Sequence, residues 1–466
     1  MSTPKTYFFC GIGGSGMMPL AVLLKKRGNK VVGSDRSFDQ GKTPEKFEAL
    51  VDIGIKLFPQ DGSGVSKNID VFVVSTAIEE TILDVKAAID CNLSIIKRGA
   101  LLAECFNAAH QRIAIAGTSG KSTVTGMVGT VLTSLNFDPT VVNGGEIVNF
   151  KSSAQDRFAS IRHGSSDIFV AEMDESDGSI EHYTPTTAIL NNIALDHKTI
   201  KELEVLFGDY LGRTTKSIVA NFGQPRVKKL CEERGIKNII SYGIDDDLVD
   251  LRASDLVPKA AGIEYTLHYQ GQGYLVQLNV PGRHNVENSL ACLGACLAEG
   301  VDLLQAVNAL PDFKGIHRRM ELIGKKNDIT VLDDFAHNPD KISASLQTLK
   351  SFDGRLIILF QPHGFGPLRL MGKEMIEAFS SYLDDDDVLA MPEVYYAGGT
   401  VDRSVTAKDI IAQSKQAGVN AYWFERRDQI ADFILDIAEE GDRIVVMGAR
   451  DDTLHTFAKT LLDHLP

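Results

Sequence analysis

At 466 residues the chain is longer than one hydrophobic core ordinarily organises, so roughly two to four domains are expected. Its 44% hydrophobic and 24% charged residues are ordinary for a globular protein. A formal net charge of −14 excludes a general nucleic-acid or membrane-surface binder, but not a local basic pocket for phosphate.

The chain opens with an apolar strand, Tyr7-Phe8-Phe9-Cys10, that runs into Gly11-Ile12-Gly13-Gly14-Ser15-Gly16. A helix is predicted over about 15–26, stopping near Gly28, then a strand over 31–35 that ends in Asp35. A later strand is expected over 70–75, and the pattern is that of a right-handed βαβ unit. The apolar pattern lapses over 107–111, which reads as a linker. A second apolar strand over 112–116 then opens into Gly117-Thr118-Ser119-Gly120-Lys121-Ser122-Thr123.

Each glycine loop leads a strand into a helix, so backbone N–H groups at the helix N-terminus can face an anion. On spacing alone, Gly11, Gly13 and Gly16 with Asp35 read as a dinucleotide site, Asp35 taking a ribose hydroxyl. The second loop departs from the full phosphate-loop pattern because Ile115 stands where the first glycine belongs. It keeps the parts that matter physically. Gly117 and Gly120 let the backbone approach phosphate, Lys121 supplies a point charge, and Ser122 can ligate Mg²⁺. Only this loop is equipped for ATP, so the first is expected to hold a second phosphorylated ligand.

Further strands are predicted over 168–172, 187–192 and 217–221, with alternating edge strands over 262–280 and a small-residue helix over 285–299. Glu172 ends one strand in a run of acids, Glu172-Met173-Asp174-Glu175-Ser176-Asp177, where a metal ligand to ATP would sit. Asp196-His197 follows another strand exit. A third α/β run has strands over 329–334, 355–360, 388–391 and 442–447, and the acids at 384–387 read as a solvated loop. The six cysteines show no CxxC pair, and Cys292 and Cys296 read as small core residues. With neither a leader nor a run of about 20 apolar residues, a cytoplasmic setting is expected.

The ordered motifs resemble the Mur ligases, ATP-dependent amide-forming enzymes of bacterial cell-wall synthesis. The most similar branch is that of the UDP-N-acetylmuramate–L-alanine ligases and murein peptide ligases. The likeness runs nearly end to end. Beyond the two loops it includes Gly33-Ser34-Asp35, Val142-Asn143-Gly144-Gly145, Ala171-Glu172-Met173-Asp174-Glu175, Asp196-His197 and Val280-Pro281-Gly282-Arg283-His284-Asn285 with Asn288. It continues through Arg318-Arg319, Asp333-Asp334-Phe335-Ala336-His337-Asn338-Pro339 and Phe360-Gln361-Pro362-His363.

The resemblance implies an α/β chain of three domains. Residues 1–107 would be a Rossmann-like UDP-sugar domain, 108–314 a central ATPase-type domain, and 315–466 a Rossmann-like domain closing over the site. It gives the first loop to the diphosphate of a UDP-sugar, contacted by Gly11, Gly13, Gly14, Ser15, Gly16, Met17, Asp35, Ser75, Thr76, Ala77, Arg98, Asn143 and Gly145. ATP would meet 117–123, Asn285, Asn288, Arg318 and Arg319, with Mg²⁺ on Ser122, Glu172 and His197. Lys121, Glu172, His197, Arg319, Asp334 and His337 are the implied catalytic set. The implied reaction joins L-alanine to UDP-N-acetylmuramate in peptidoglycan synthesis, with a recycled peptide or another acceptor as alternatives. The partners are small molecules, with no nucleic acid or membrane, and the enzyme is expected as a monomer or homodimer.

Departures from the branch cluster in the acceptor half. Ser119 replaces a histidine, Phe335 a tyrosine, and Gly364 and Pro367 stand at expected arginine positions. Losing guanidinium groups that clamp a carboxylate predicts a weak hold on free L-alanine, with Arg369 as a neighbouring substitute. Three competing readings are a superfamily ligase for another acid, a nucleotide sensor, and an NAD-dependent dehydrogenase. The sensor has no need of both metal positions, and the dehydrogenase leaves the ATP loop without a purpose.

Overall fold

Strands whose two faces are both apolar, such as Phe8-Phe9-Cys10 and Ile113-Ala114-Ile115-Ala116, can be covered only by helices on either side, and this dictates parallel sheets. A computed structural model describes residues 3–75, 81–151, 158–175, 178–194, 198–259, 262–396, 402–449, 451 and 453–465. Among these, the strands form three sheets.

The first sheet comprises β1 (Thr6–Cys10), β2 (Lys30–Ser34), β3 (Lys56–Phe58), β4 (Val71–Val74) and β5 (Ser94–Lys97), in the order β3-β2-β1-β4-β5. All its pairings are parallel. The chain leaves β1 toward β2 on one side and returns to β4 on the other. The Gly11–Gly16 loop therefore sits at a topological switch point, where α/β sheets open a crevice.

The second sheet takes β6 (Gln111–Ala116), β7 (Thr140–Val142), β8 (Ile161–Arg162), β9 (Ile168–Glu172), β10 (Thr187–Leu190), β11 (Ser217–Asn221), β12 (Ile239–Ile244), β13 (Leu251–Lys259), β14 (Gly262–Tyr269) and β15 (Gln272–Leu278). Its order is β15-β14-β13-β12-β11-β10-β6-β9-β7-β8. β6 lies between β9 and β10, parallel to both, so the second glycine loop also leaves a switch point. The alternating pattern over 262–280 forms the sheet edge as expected.

The third sheet contains β16 (Glu321–Lys326), β17 (Ile329–Asp334), β18 (Leu356–Phe360), β19 (Val388–Met391), β20 (Ala421–Trp423) and β21 (Arg443–Met447), ordered β16-β17-β21-β18-β19-β20. β16 is antiparallel to β17, and the other pairings are parallel. One apolar cluster includes Ile358, Phe360 and Leu389, and another includes Ile357, Leu359 and Ala390, one for each face of the sheet.

The described chain divides into two compact units. One comprises Met1–Leu256, Tyr265–Leu278 and His284–Lys314; the other comprises Val257–Glu264, Asn279–Arg283 and Gly315–Pro466. The first unit holds the first sheet and most of the second. The lapse over 107–111 is thus a change of sheet and not a gap in the core. Phe106 packs edge-on against Phe169 at 5.5 Å and Tyr183 at 5.3 Å, and the Asn107 amide donates to the His182 carbonyl at 2.8 Å.

Three local expectations are corrected. The first helix begins at Met17, because Gly14 N–H turns back on the Gly11 carbonyl and Met17 N–H on that of Gly14. The acid run is not wholly solvated: Asp387 is buried and accepts from the Leu356 and Asp384 amides while pairing with Lys350 at 2.9 Å. The second strand ends at Ser34, and Asp35 caps the short helix that follows it. Cys292 and Cys296 are buried and unbridged in the helix Arg283–Ala298, as expected of core residues.

Candidate active site

The second glycine loop is shaped by what surrounds its glycines. Gly117 and Gly120 both take positive φ, 137° and 81°, where a side chain is strained. A Cβ at Gly120 would also collide with the Asn191 and Asn288 amides. These asparagines form a scaffold beneath the loop. Asn191 Nδ2 donates to Asn288 Oδ1 at 2.9 Å and to the Ser119 carbonyl at 3.2 Å, and Tyr242 donates to Asn191 Oδ1 at 2.6 Å. Asn192 Oδ1 accepts from Thr118 Oγ1 at 2.9 Å and from Ser119 N–H at 2.8 Å. Asn288 Nδ2 in turn donates to Asn285 Oδ1 at 3.0 Å. The family resemblance assigns Asn285 and Asn288 to ATP. The structure gives both a place in the loop's support, and adds Asn191, Asn192 and Tyr242, which the sequence reading had given no such part.

Lys121, Ser122 and Thr123 open the helix Lys121–Ser134. Lys121 Nζ lies 2.7 Å from the Gly117 carbonyl and 2.9 Å from Glu175, which is almost fully buried. Ser122 Oγ donates to Glu172 Oε2 at 2.8 Å, and Gly144 N–H donates to the same oxygen at 2.9 Å. Glu172, at the end of β9, therefore ties together the helix start and the turn after β7.

The first loop is braced from behind. Asp35 accepts from Gly13 N–H and Ser37 N–H, each at 2.8 Å, and Lys46 Nζ donates to the Gly13 carbonyl at 2.8 Å. A Cβ at Gly13 would stand 2.9 Å from Asp35 Oδ2 and from the Phe47 ring.

Both loops open onto one cavity of about 500 Å³. Gly11, Gly14, Ser15, Gly16, Met17, Ser75 and Arg98 line one part of it; Lys121, Asn143, Gly144, Glu172, Asp174 and Glu175 line the other. Gly13, Asp35 and Gly145 are not on this wall, and Gly144 takes the place expected of Gly145. Thr76, Ala77 and the Asp196-His197 pair lie outside the described residues. Among the described residues the wall carries three carboxyl side chains against two basic ones, so a polyphosphate entering it calls for added positive charge. Ser122 and Glu172, already in contact, offer a hydroxyl and a carboxylate oxygen that suit Mg²⁺.

The remaining candidates belong to the second unit. Arg318 is buried, and its guanidinium donates to Asp333 Oδ1 at 3.3 Å and to the Asp451 and Gly448 carbonyls at 3.0 and 2.7 Å. That is a structural task, whereas the neighbouring Arg319 is exposed. The Asp334 carboxylate accepts from Ser345 and from Met320 N–H, and burial raises its pKa above the usual carboxylate value against the lowering effect of these bonds. His337 is half-buried, with Nδ1 2.8 Å from the Phe335 carbonyl and its ring 5.3 Å from that of His363. Gly364 has φ 74° at the start of the helix Phe365–Tyr382, and Arg369 pairs with Asp402 at 2.8 Å.

The geometry has close counterparts among known proteins. Residues 6–110 match the "Mur ligase family, catalytic domain", 115–296 the "Mur ligase middle domain", and 318–450 the "Mur ligase, glutamate ligase domain". A UDP-N-acetylmuramate–L-alanine ligase of Sulfurihydrogenibium sp. is 33% identical over 449 residues, covering 95% of this chain and 94% of that protein. Among solved structures, a UDP-N-acetylmuramate-alanine ligase from Thermotoga maritima superposes with a TM-score of 0.79 at 25% identity, covering 98% of each chain. A murein peptide ligase from Psychrobacter arcticus gives 0.67 at 26% identity, covering 99% of this chain and 98% of its own. Among the described residues no helix is long and apolar enough to cross a membrane. By three successive domain matches and by similarity along nearly its whole length, the chain belongs to the Mur ligase family.

Proposed function

We propose that the chain is an ATP-dependent ligase that joins L-alanine to the carboxylate of UDP-N-acetylmuramate. The observation that carries this is the single cavity shared by the two glycine loops, only one of which has the lysine that ATP needs. A sugar nucleotide held by 11–17, Ser75 and Arg98 would extend its carboxylate toward Lys121. Domain limits of 1–107, 108–314 and 315–466 accord with this division of labour, and a cytoplasmic monomer or homodimer is the expected form.

A carboxylate is a poor acyl donor, because its leaving group would be oxide. Its oxygen attacks the γ-phosphorus of ATP, ADP leaves, and an acyl-phosphate results. The amine nitrogen then attacks the acyl carbon, the carbon–oxygen bond to phosphate breaks, and the nitrogen sheds a proton. Lys121 stabilises charge on the transferring phosphoryl oxygens. Magnesium, held by Ser122 and Glu172 with His197 assigned by resemblance, would neutralise phosphate charge. Arg319 is assigned to the phosphates on the same ground. His337, half-buried, suits orientation of the amine or uptake of its proton, with Asp334 supporting its turn.

A second reading, with a peptide as acceptor, is favoured by Gly364 and Pro367 standing where carboxylate-clamping arginines are expected. The deciding experiment measures phosphate release from ATP and UDP-N-acetylmuramate with L-alanine, glycine, L-serine and the L-Ala–γ-D-Glu–diaminopimelate tripeptide. L-Alanine should give the highest specificity constant. No release with any acceptor would overturn the ligase reading, and preference for the tripeptide would install the second one.

A further inference from the structure

The second unit holds a side-chain cluster that the ligase reaction does not use. His317 lies just before β16, Glu321 begins it, Asp333 lies in β17, and His455 is in the helix Thr453–His464. His317 Nδ1 is 2.7 Å from Glu321 Oε2, His455 Nδ1 is 3.8 Å from that same oxygen, and His455 Nδ1 is 3.0 Å from Asp333 Oδ2. The imidazole rings meet edge to face at 4.3 Å. Asp333 is fully buried, and the other three side chains are 13–19% exposed.

We propose that His317, Glu321 and His455 form a site for a divalent cation of the zinc class, with Asp333 beside His455 as an outer contact. The donors converge: the ligand atoms of His317, Glu321 and His455 all lie within 4.8 Å of one another. A tetrahedral zinc with bonds of 2.0–2.1 Å sets its ligand atoms about 3.3 Å apart. The 2.7 Å from His317 to Glu321 and the 3.8 Å from His455 to the same oxygen straddle that edge. Two imidazole nitrogens and one carboxylate oxygen, with the fourth position left to water, suit zinc, whereas Mg²⁺ and Ca²⁺ prefer all-oxygen shells.

Charge points the same way. Asp333 already shares the Arg318 guanidinium, whereas among the described residues Glu321 meets the Arg318 N–H at 2.7 Å and the two imidazoles. A dication compensates both carboxylates at once. Arg318 also orients both carboxylates, through its backbone to Glu321 and its side chain to Asp333. A bound ion would fasten the turn carrying Arg318 and Arg319 to the last helix of the same unit. The alternative, imidazolium–carboxylate pairs without metal, uses the same contacts and is separated by experiment.

The full-length protein is stripped with a chelator and titrated with Co²⁺, then with Zn²⁺, in excess Mg²⁺. A single equivalent should give the intense visible bands of tetrahedral cobalt, displaced by zinc, and zinc should raise the thermal midpoint. His317→Gln and His455→Gln should each weaken cobalt binding beyond the roughly 100-fold that loss of an outer-shell contact can cost. Glu172→Gln, at the other candidate cation site, should leave the bands intact. Absence of tetrahedral bands in the wild-type protein, or their survival in both histidine variants, overturns the proposal. If a histidine variant does not fold, the wild-type titration and its zinc-dependent melting still decide.

Discussion

Lys121 and Glu175 form an ion pair of 2.9 Å at the mouth of the second glycine loop, with Glu175 almost wholly removed from water. The pair holds the ammonium over the loop, so a phosphate meets a charge already in position. Lys121→Ala is expected to lower turnover at least a hundredfold, about 3 kcal/mol of barrier, while UDP-sugar binding stays near that of the wild type. Phosphate release and calorimetry measure the two quantities. Near-normal ATP consumption by the variant would remove Lys121 from the chemistry.

The brace behind the first loop changes how its variants should fail. A side chain at Gly13 strikes Asp35 and Phe47, neither of which lines the cavity. Gly13→Val should therefore lose UDP-sugar binding together with thermal stability, through a displaced loop. Asp35→Ala leaves two amides without their acceptor, at a cost of order 1–3 kcal/mol for a buried one. Denaturant unfolding beside UDP-sugar calorimetry separates these outcomes. An Asp35→Ala protein of normal stability that no longer binds would instead make Asp35 a direct ligand contact.

Restoring arginines in the acceptor half should not be symmetrical. Gly364 takes φ 74°, so Gly364→Arg carries backbone strain of at least about 1–2 kcal/mol. Pro367 is half-buried in the first turn of the helix Phe365–Tyr382, where the helical backbone puts no such strain on an arginine. If a missing clamp limits L-alanine, Pro367→Arg should lower its KM by about tenfold, a gain of about 1.4 kcal/mol. An unchanged KM in a well-folded Pro367→Arg protein would show that no clamp is needed there.

Asp138 offers a test of pH dependence away from the chemistry. Hydrogen bonds from Ser165 Oγ and N–H, then from Arg162, hold its carboxyl well below the usual range. A depressed pKa stabilises the fold above the unfolded value, about 4, and that stability is lost as pH falls through the folded value. Asp138→Asn should therefore be less stable than the wild type near neutrality, with the gap closing in acid. Melting curves across that range check it, and a gap independent of pH would refute the linkage.

Much of the site could be read from residue order, because a strand that ends in glycines and enters a helix fixes where backbone amides point. That reasoning placed Gly11–Gly16, Lys121, Ser122 and Glu172 with no knowledge of their neighbours. The central strands were legible for a similar reason: runs apolar on both faces have few alternatives to a covered parallel sheet. Short edge strands such as β16 and β20 were not, since they carry mixed residues that only pairing makes extended.

What the tertiary structure decided were roles set by contacts across long sequence separations. It turned Asp35 into a brace, gave Arg318 to carbonyls more than a hundred residues away, and buried Asp387 beside β18. It joined Asn191 to Asn288 beneath the phosphate loop and brought His317 within reach of His455. A polar side chain's type states which bonds it can make. Which of them it makes depends on what the fold places within about 3 Å, a distance no local pattern encodes.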